Sequence, residues 1–177
     1  MKHATLDPKA YFNEALQRIN QGELDAAAAM CRAAIRRDPE DISMTALLGA
    51  VLLKQRRPDE AEKYLRKAIE LAPTFAKPHE DLGYLLVETR RAREAVQMLK
   101  EATRLDPEAA TAHYTLGRAF AALGKQRQAD LAFEKSFGLD PHRKKLAMAA
   151  ELHKRGKLPQ AERIYRRLLK ENPRTVD

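Results

Sequence analysis

Prolines recur every 34 residues in this 177-residue chain: Pro39, Pro73, Pro107 and Pro141. Ala27, Ala61, Ala95 and Ala129 keep the same interval. So do Gly49, Gly83 and Gly117, and so do Ala34, Ala68 and Ala102, with Ser136 next in line. Four columns in one register make the chain a tandem array. Units this short cannot bury a core alone, and each is stabilised by stacking on its neighbours.

Within a unit the apolar residues follow helical spacing twice. In the second unit Leu48, Leu52 and Leu53 form one stripe, and Ala61, Tyr64, Leu65, Ala68 and Ile69 form another. Both fit the i, i+3, i+4, i+7 pattern of an amphipathic helix. Between them stands a break, Gln55-Arg56-Arg57-Pro58-Asp59. Other units place Gly22, Gly124 or Gly156 at the break, which suits a left-handed position after a helix. Each unit is therefore expected to be a helical hairpin with helices of about 12–14 residues. A glycine inside a helix costs about 1 kcal/mol relative to alanine. Its recurrence at 49, 83 and 117 implies close approach of the partner helix, with Leu65, Leu99, Phe133 and Tyr165 filling the space one turn on. The column proline ends the second helix and begins the link.

These features resemble the tetratricopeptide repeat, a helix–turn–helix unit of 34 residues. The family's Leu-Gly pair is matched by Leu48-Gly49, Leu82-Gly83 and Leu116-Gly117. Its alanine is matched by Ala27, Ala61, Ala95, Ala129 and Ala161, and its closing proline by Pro39, Pro73, Pro107, Pro141 and Pro173. The aromatic first slot is weak, held by Tyr11, Thr45, His79 and His113. The resemblance spans residues 8 to about 175 and implies an all-α fold, a right-handed α-solenoid of five hairpins. As a single array over 1–177, the repeats fall at about 8–41, 42–75, 76–109, 110–141 and 142–175. The first unit departs from the pattern, with Glu14-Ala15 in the Leu-Gly slot and Cys31 in the large-residue slot. The fifth is two residues short, and a deletion in the link after Pro141 brings Met148-Ala149 into the Leu-Gly slot.

Composition narrows the function classes. No run of about 18 apolar residues occurs, so no membrane-spanning helix is expected. The opening Met-Lys-His-Ala-Thr-Leu-Asp-Pro lacks the apolar core of a secretory signal, which points to the cytoplasm. Cys31 is the sole cysteine, on the apolar stripe of its helix, and reads as a small buried hydrophobe. The chain has no phosphate-binding glycine loop, no His-Glu-x-x-His and no Gly-x-Ser-x-Gly, so no enzyme, metal or cofactor is expected. His79 and His113 occupy equivalent slots of adjacent units. Packed helices lie about 8–10 Å apart, whereas zinc ligands stand about 2 Å from the ion, so these two read as packing residues. His142 and His153 are too far apart along one helix, roughly 16 Å, to share a metal.

The net charge of +8 is unevenly placed. Residues 142–177 hold 11 Lys or Arg against 4 acids, a net +7. Such a surface suits an acidic partner or neighbouring domain. Nucleic acid is disfavoured, because Tyr165 alone could stack on a base there.

In tetratricopeptide arrays the first helices of successive units line the ligand groove. Carried over by register, the partner-binding candidates are Lys54, Lys77, Asp81, Tyr84, Tyr114 and Arg118. Tyrosine and arginine dominate interface energies, and Arg118 suits a carboxylate while Asp81 suits a cation. The family's subclass that clamps the C-terminal carboxylate of chaperones is not expected. Its matching places read Phe12, Leu16, Leu47, Lys77 and Asp81, and of these Lys77 alone fits. The implied function is a non-catalytic protein–protein interaction scaffold holding a peptide or partner domain. Two alternatives stay open. One is the N-terminal arm of a larger bacterial enzyme of sulfotransferase or glycosyltransferase type, whose array endings the run 161–173 resembles. The other is self-assembly through an uncapped end bearing Ile164, Tyr165, Leu168 and Leu169.

Overall fold

The structure is a computed structural model and describes residues 7–171. Pro173, the last member of the proline column, lies outside these residues, as do the opening segment 1–6 and the closing segment 172–177. Ten helices and no strand make up the described residues. They are α1 (Pro8–Asn20), α2 (Leu24–Arg37), α3 (Ile42–Lys54), α4 (Pro58–Leu71), α5 (Ala76–Glu88), α6 (Ala92–Leu105), α7 (Ala110–Ala122), α8 (Gln126–Leu139), α9 (Pro141–Lys154) and α10 (Leu158–Glu171). Successive pairs form antiparallel hairpins, as the doubled helical periodicity of each unit requires.

The chain divides into two compact units between Pro107 and Glu108. In the first unit α1–α2, α3–α4 and α5–α6 stack in order. Helix α2 packs on α3, α4 packs on α5, and α3 touches both α1 and α5. The core is a column of Leu48, Val51, Leu52, Leu65, Leu82, Leu86 and Leu99, all closed to solvent. The alanines of the repeat, Ala27, Ala61 and Ala95, are equally buried. Fully burying one leucine is worth about 2–3 kcal/mol, so this column dominates the stability of the unit. In the second unit α7 packs on α8, α8 touches α9, and α9 packs on α10.

Three of the five hairpin turns place glycine in the left-handed region, with φ of +78° at Gly22, +69° at Gly124 and +72° at Gly156. The other two reach the same conformation with arginine, at Arg56 (φ 57°) and Arg90 (φ 62°). Left-handed backbone brings a Cβ against the following carbonyl. Arg90→Gly is therefore expected to raise stability by about 0.5–1 kcal/mol, after the greater entropy of glycine in the unfolded chain is subtracted. The midpoint of urea denaturation checks this. Pro58 lies not in the break but at the first position of α4, where its missing N–H leaves no helical bond unmade.

The two-residue deficit of the fifth unit sits in the link before α9. Four residues separate α2 from α3, α4 from α5 and α6 from α7, whereas Asp140 alone separates α8 from α9. Asp140 both ends α8 and caps α9, its carboxylate accepting from the Arg143 N–H at 3.2 Å. Pro39, Pro73 and Pro107 stand in links, but Pro141 opens α9.

The register expected for α9 holds at one residue and fails at the next. Ala149 is fully buried, as Gly117 is. Met148 is 61% exposed where Leu116 is 7% exposed. The counterpart in the first unit, Leu48, is fully closed, and the helices around the two positions differ. Helix α3 has α1, α2, α4 and α5 against it, whereas α9 has α8 and α10 among the described helices. No later hairpin among the described residues covers the outer side of α9.

Ser136 departs from its alanine column for a local reason. Its buried hydroxyl donates to the Ala110 carbonyl at 2.7 Å, tying α8 to the start of α7. Cys31 is fully buried, and burial pushes its thiol up to about 11. The thiol therefore stays protonated near neutral pH and acts as a small apolar side chain.

Candidate functional site

The outer helices of the first unit carry several of their charges in mutual pairs. Glu62 on α4 accepts from Arg91 at 2.6 Å and from Arg66 at 2.6 Å, and Arg91 also donates to Glu94 at 2.7 Å. Arg32 on α2 faces Glu60 on α4 at 3.5 Å. Hydrogen bonds from Arg91 and Arg66 hold the Glu62 carboxyl below the usual range. Ion pairs thus link α2 to α4 and α4 to the start of α6 on this side of the unit.

The inner helices differ. At the C-terminal ends of α3 and α5 lies a cleft of about 590 Å³, walled by Leu53, Lys54, Arg56, Pro58, Tyr84, Leu85, Glu88 and Thr89. Tyr84 stands 42% exposed beside it. Lys54 and Arg56 belong to the end of α3, where cations offset the negative end of the helix dipole. The Thr89 hydroxyl is turned inward, donating to the Leu85 carbonyl at 2.9 Å. The cleft thus joins an apolar floor, an open phenol ring, two cations and the Glu88 carboxylate. That combination can hold a side chain of moderate size next to a carboxylate.

The candidate residues are distributed unevenly. Lys54 and Tyr84 meet at this cleft. Lys77 and Asp81, one turn apart on α5, are engaged with each other: the Lys77 ammonium lies 2.9 Å from Asp81 and 2.8 Å from Glu80. Burial raises the Asp81 carboxyl above its ordinary value despite the pull of Lys77. In the second unit Tyr114 sits in an aromatic cluster, 5.3 Å from the Phe133 ring and 6.3 Å from that of Phe137. The Arg143 guanidinium lies over its face at 5.5 Å and donates to Thr111 at 2.9 Å. A phenol ring held this way is committed to α7, α8 and α9. Arg118 follows one turn along α7 and is half-buried.

Arg56, Leu53, Leu85 and Thr89 escape a reading by groove register, because they stand at or near the hairpin turn. The 34-residue interval between Lys54 and Glu88 is the signal that could have found this edge. His79 is a packing residue: its Nε2 lies 2.9 Å from the Pro73 carbonyl and fixes α5 to the preceding link. Among the described residues no three His, Cys, Asp or Glu side chains gather as metal ligands would, and no helix is long and apolar enough to cross a membrane.

The tetratricopeptide repeat family model matches residues 12–74 and 80–136, most of the chain. This chain belongs to the tetratricopeptide repeat family. Its fold is accordingly an all-α solenoid of helical hairpins. Solved structures agree. A thermophilic tetratricopeptide repeat protein of Thermus thermophilus is similar, with a TM-score of 0.78 at 21% identity, over 94% of this chain and 92% of that one. PilF of Pseudomonas aeruginosa gives 0.72 at 29% identity, over 92% of this chain and 75% of that one. MamA gives 0.68 at 22% identity, over 90% and 94%. Comparison with curated protein sequences gives no match. At these identities the neighbours share the tetratricopeptide architecture, and the chemistry of a site must be read from this chain's own residues.

Proposed function

We infer that this tetratricopeptide repeat protein is a non-catalytic interaction scaffold, and that its first unit grips a partner segment at the cleft beside Tyr84. The family fold supports an interaction role in general. The observation that carries the finer reading is the exposed Tyr84 ring over an apolar floor of Leu53 and Leu85, flanked by Lys54 and Arg56. Interface energy concentrates in aromatic anchors that can be desolvated by a partner, and the two cations outnumber the single Glu88 carboxylate of the lining, which favours a carboxylate beside the anchored side chain. The preferred segment has an aliphatic or aromatic residue next to Asp, Glu or a terminal carboxylate.

Selection from a random peptide display library tests the reading. Enriched peptides should carry that apolar–acidic pair. Tyr84→Ala should weaken their binding by about tenfold or more, the loss typical of an interface anchor. Lys54→Glu should weaken acidic peptides selectively and reduce their salt dependence. Thermal melts of both variants should match the parent, since both side chains are exposed. Peptides that bind the parent and a variant combining Tyr84→Ala with Lys54→Glu equally would remove the cleft from the function.

A further inference from the structure

Two hairpin turns of the first unit hold arginine in a conformation that suits glycine. Arg56 and Arg90 have φ of 57° and 62°, where the other hairpins place Gly22, Gly124 and Gly156. A Cβ is strained in left-handed backbone, and strained non-glycine residues cluster where a ligand is held. The two arginines are neighbours. They follow the ends of α3 and α5 at equivalent places, 34 residues apart, and α3 packs on α5. Packed helices lie about 8–10 Å apart, so two side chains as long as arginine can reach one small group between them.

Neither guanidinium serves the fold. Both residues are exposed, and among the described residues neither side chain makes an ion pair or a hydrogen bond. The residues that follow them behave oppositely: Arg57 pairs with Glu60, and Arg91 with Glu62 and Glu94. Arg56 lines the cleft together with Lys54 and Tyr84, and Arg90 comes directly after Thr89 of the same wall. The local charge is unbalanced. Segments 54–60 and 88–94 hold six cations and four acids, Asp59 and Glu88 included, a net +2.

We propose that the cleft beside Tyr84 takes a phosphorylated serine or threonine of a protein partner, with the phosphate held between Arg56 and Arg90. This rests on the reading of the cleft as the peptide-binding site. A phosphate monoester carries about −1.5 to −2 charges at neutral pH and three strong acceptor oxygens. A carboxylate carries one charge and fills one guanidinium fork. Two separate forks and a net +2 therefore match the phosphate, and Lys54 adds a third cation on the same wall. The phosphodiesters of nucleic acid carry one charge each and match the pair less well. The apolar neighbour of the phosphorylated residue lies against Tyr84, Leu53 and Leu85. Arginine in place of glycine thus exchanges some stability of the turns for this contact.

The probes are three short fluorescein-labelled peptides, identical except that a leucine is followed by phosphoserine, by glutamate or by serine. Binding to the full chain is followed by anisotropy. The phosphoserine peptide should bind at least about tenfold tighter than the glutamate peptide, the effect of one added charge-assisted hydrogen bond. The serine peptide should bind weakest. Arg90→Gly should cut the preference for phosphoserine over glutamate to about twofold or less, and Arg90→Lys, which keeps the charge without the fork, should retain part of it. Arg90→Gly relieves the strained turn, so its melting curve should lie at or above the parent's, and a lost preference is not a loss of fold. Tyr84→Ala should weaken the phosphoserine and glutamate peptides together. If the glutamate peptide binds through Tyr84 as tightly as the phosphoserine peptide, or if the preference survives Arg90→Gly, the phosphate site is overturned and the peptide cleft stands. If no peptide binds at about 100 µM, or if binding ignores Tyr84→Ala, both fall. Displacement of the phosphoserine peptide by inorganic phosphate as readily as by the unlabelled peptide would overturn the proposal in favour of a free phosphate ligand. A mobility shift with single-stranded DNA that Arg90→Gly abolishes, without a preference for phosphoserine, would overturn it in favour of nucleic acid.

Discussion

Gly83→Ala is expected to destabilise the first unit by about 1–3 kcal/mol, the range of an overpacked core, even though alanine is the better helix former by about 1 kcal/mol. A Cβ built at Gly83 would overlap the Leu99 side chain. Leu99 is itself fully buried, so any movement away must displace packed neighbours. Gly49 is under the same constraint, with Leu65 atoms at 2.7 Å, and Gly117 with the Phe133 ring at 2.6 Å. Gly138 is the internal control. It also lies in a helix, yet nothing stands within 4 Å of its would-be Cβ. Gly138→Ala should therefore stabilise the chain by about 0.5–1 kcal/mol, the helical preference alone. Urea denaturation followed by circular dichroism checks both. Two transitions are expected to be resolved if the two units unfold separately, and the first unit's transition is then the one that Gly83→Ala moves. Leu99→Ala by itself should cost about 2–5 kcal/mol through the cavity it leaves. Combining it with Gly83→Ala should cost less than the sum, because each change supplies the volume that the other needs. Additive effects would show that the close approach at Gly83 is not what holds the hairpin.

The second large effect concerns charge. Lys77 faces Glu80 and Asp81, whose side chains are each 14% exposed, while Lys77 itself is more than half exposed. Lys77→Met leaves two largely buried carboxylates side by side. The cost should be about 1–3 kcal/mol near neutral pH, below the 3–5 kcal/mol of a fully buried pair because water reaches this ammonium. Asp81→Asn should cost far less, because burial at Asp81 outweighs the attraction of Lys77 and already raises its pKa. The sign follows from linkage. An acid with a raised folded-state pKa binds its proton more tightly folded than unfolded, so its contribution to stability falls as pH rises through the carboxylate range. In Lys77→Met that fall should steepen between about pH 4 and 7, since nothing then opposes it. For Lys77, dehydration lowers its pKa but the two carboxylates outweigh this and raise it. Its own contribution is thus present throughout the neutral range and lost only in alkali. Melting curves from pH 4 to 8 for parent, Lys77→Met and Asp81→Asn decide the matter. Parallel curves for parent and Lys77→Met would mean that the pair is solvated and energetically minor.

Much of this architecture is legible in the sequence. The 34-residue columns and doubled helical stripes specify hairpins, and the structure gives helices of 13 or 14 residues where the periodicity places them. The small-residue columns correctly imply close approach, at Gly49 on Leu65 and Gly83 on Leu99. Glycine at three of the five turns announces the left-handed backbone found there. These properties are local or periodic. They depend on residues within one hairpin, or on a spacing repeated until it cannot be missed.

The candidate site was legible only in outline. Groove register named Lys54 and Tyr84, which line one cleft in the structure, but it could not see Arg56 and Thr89 at the turn edge of that cleft. Nor could it see that Tyr114 is held by Phe133, Phe137 and Arg143, residues 19 to 29 positions away. Lys77 and Asp81 look like ligand-binding charges in a sequence and turn out to face each other. Met148 shows the same limit in the core. Its place in the repeat says buried, yet it is exposed, because covering a side chain takes groups beyond its own helix. The sequence by itself determined the hairpins, their turns and the contacts inside each one, because backbone preference and helical periodicity act over a few residues. Tertiary structure alone decided which charges pair, which rings are engaged and which apolar faces stay open, because those follow from what each neighbouring helix brings into reach.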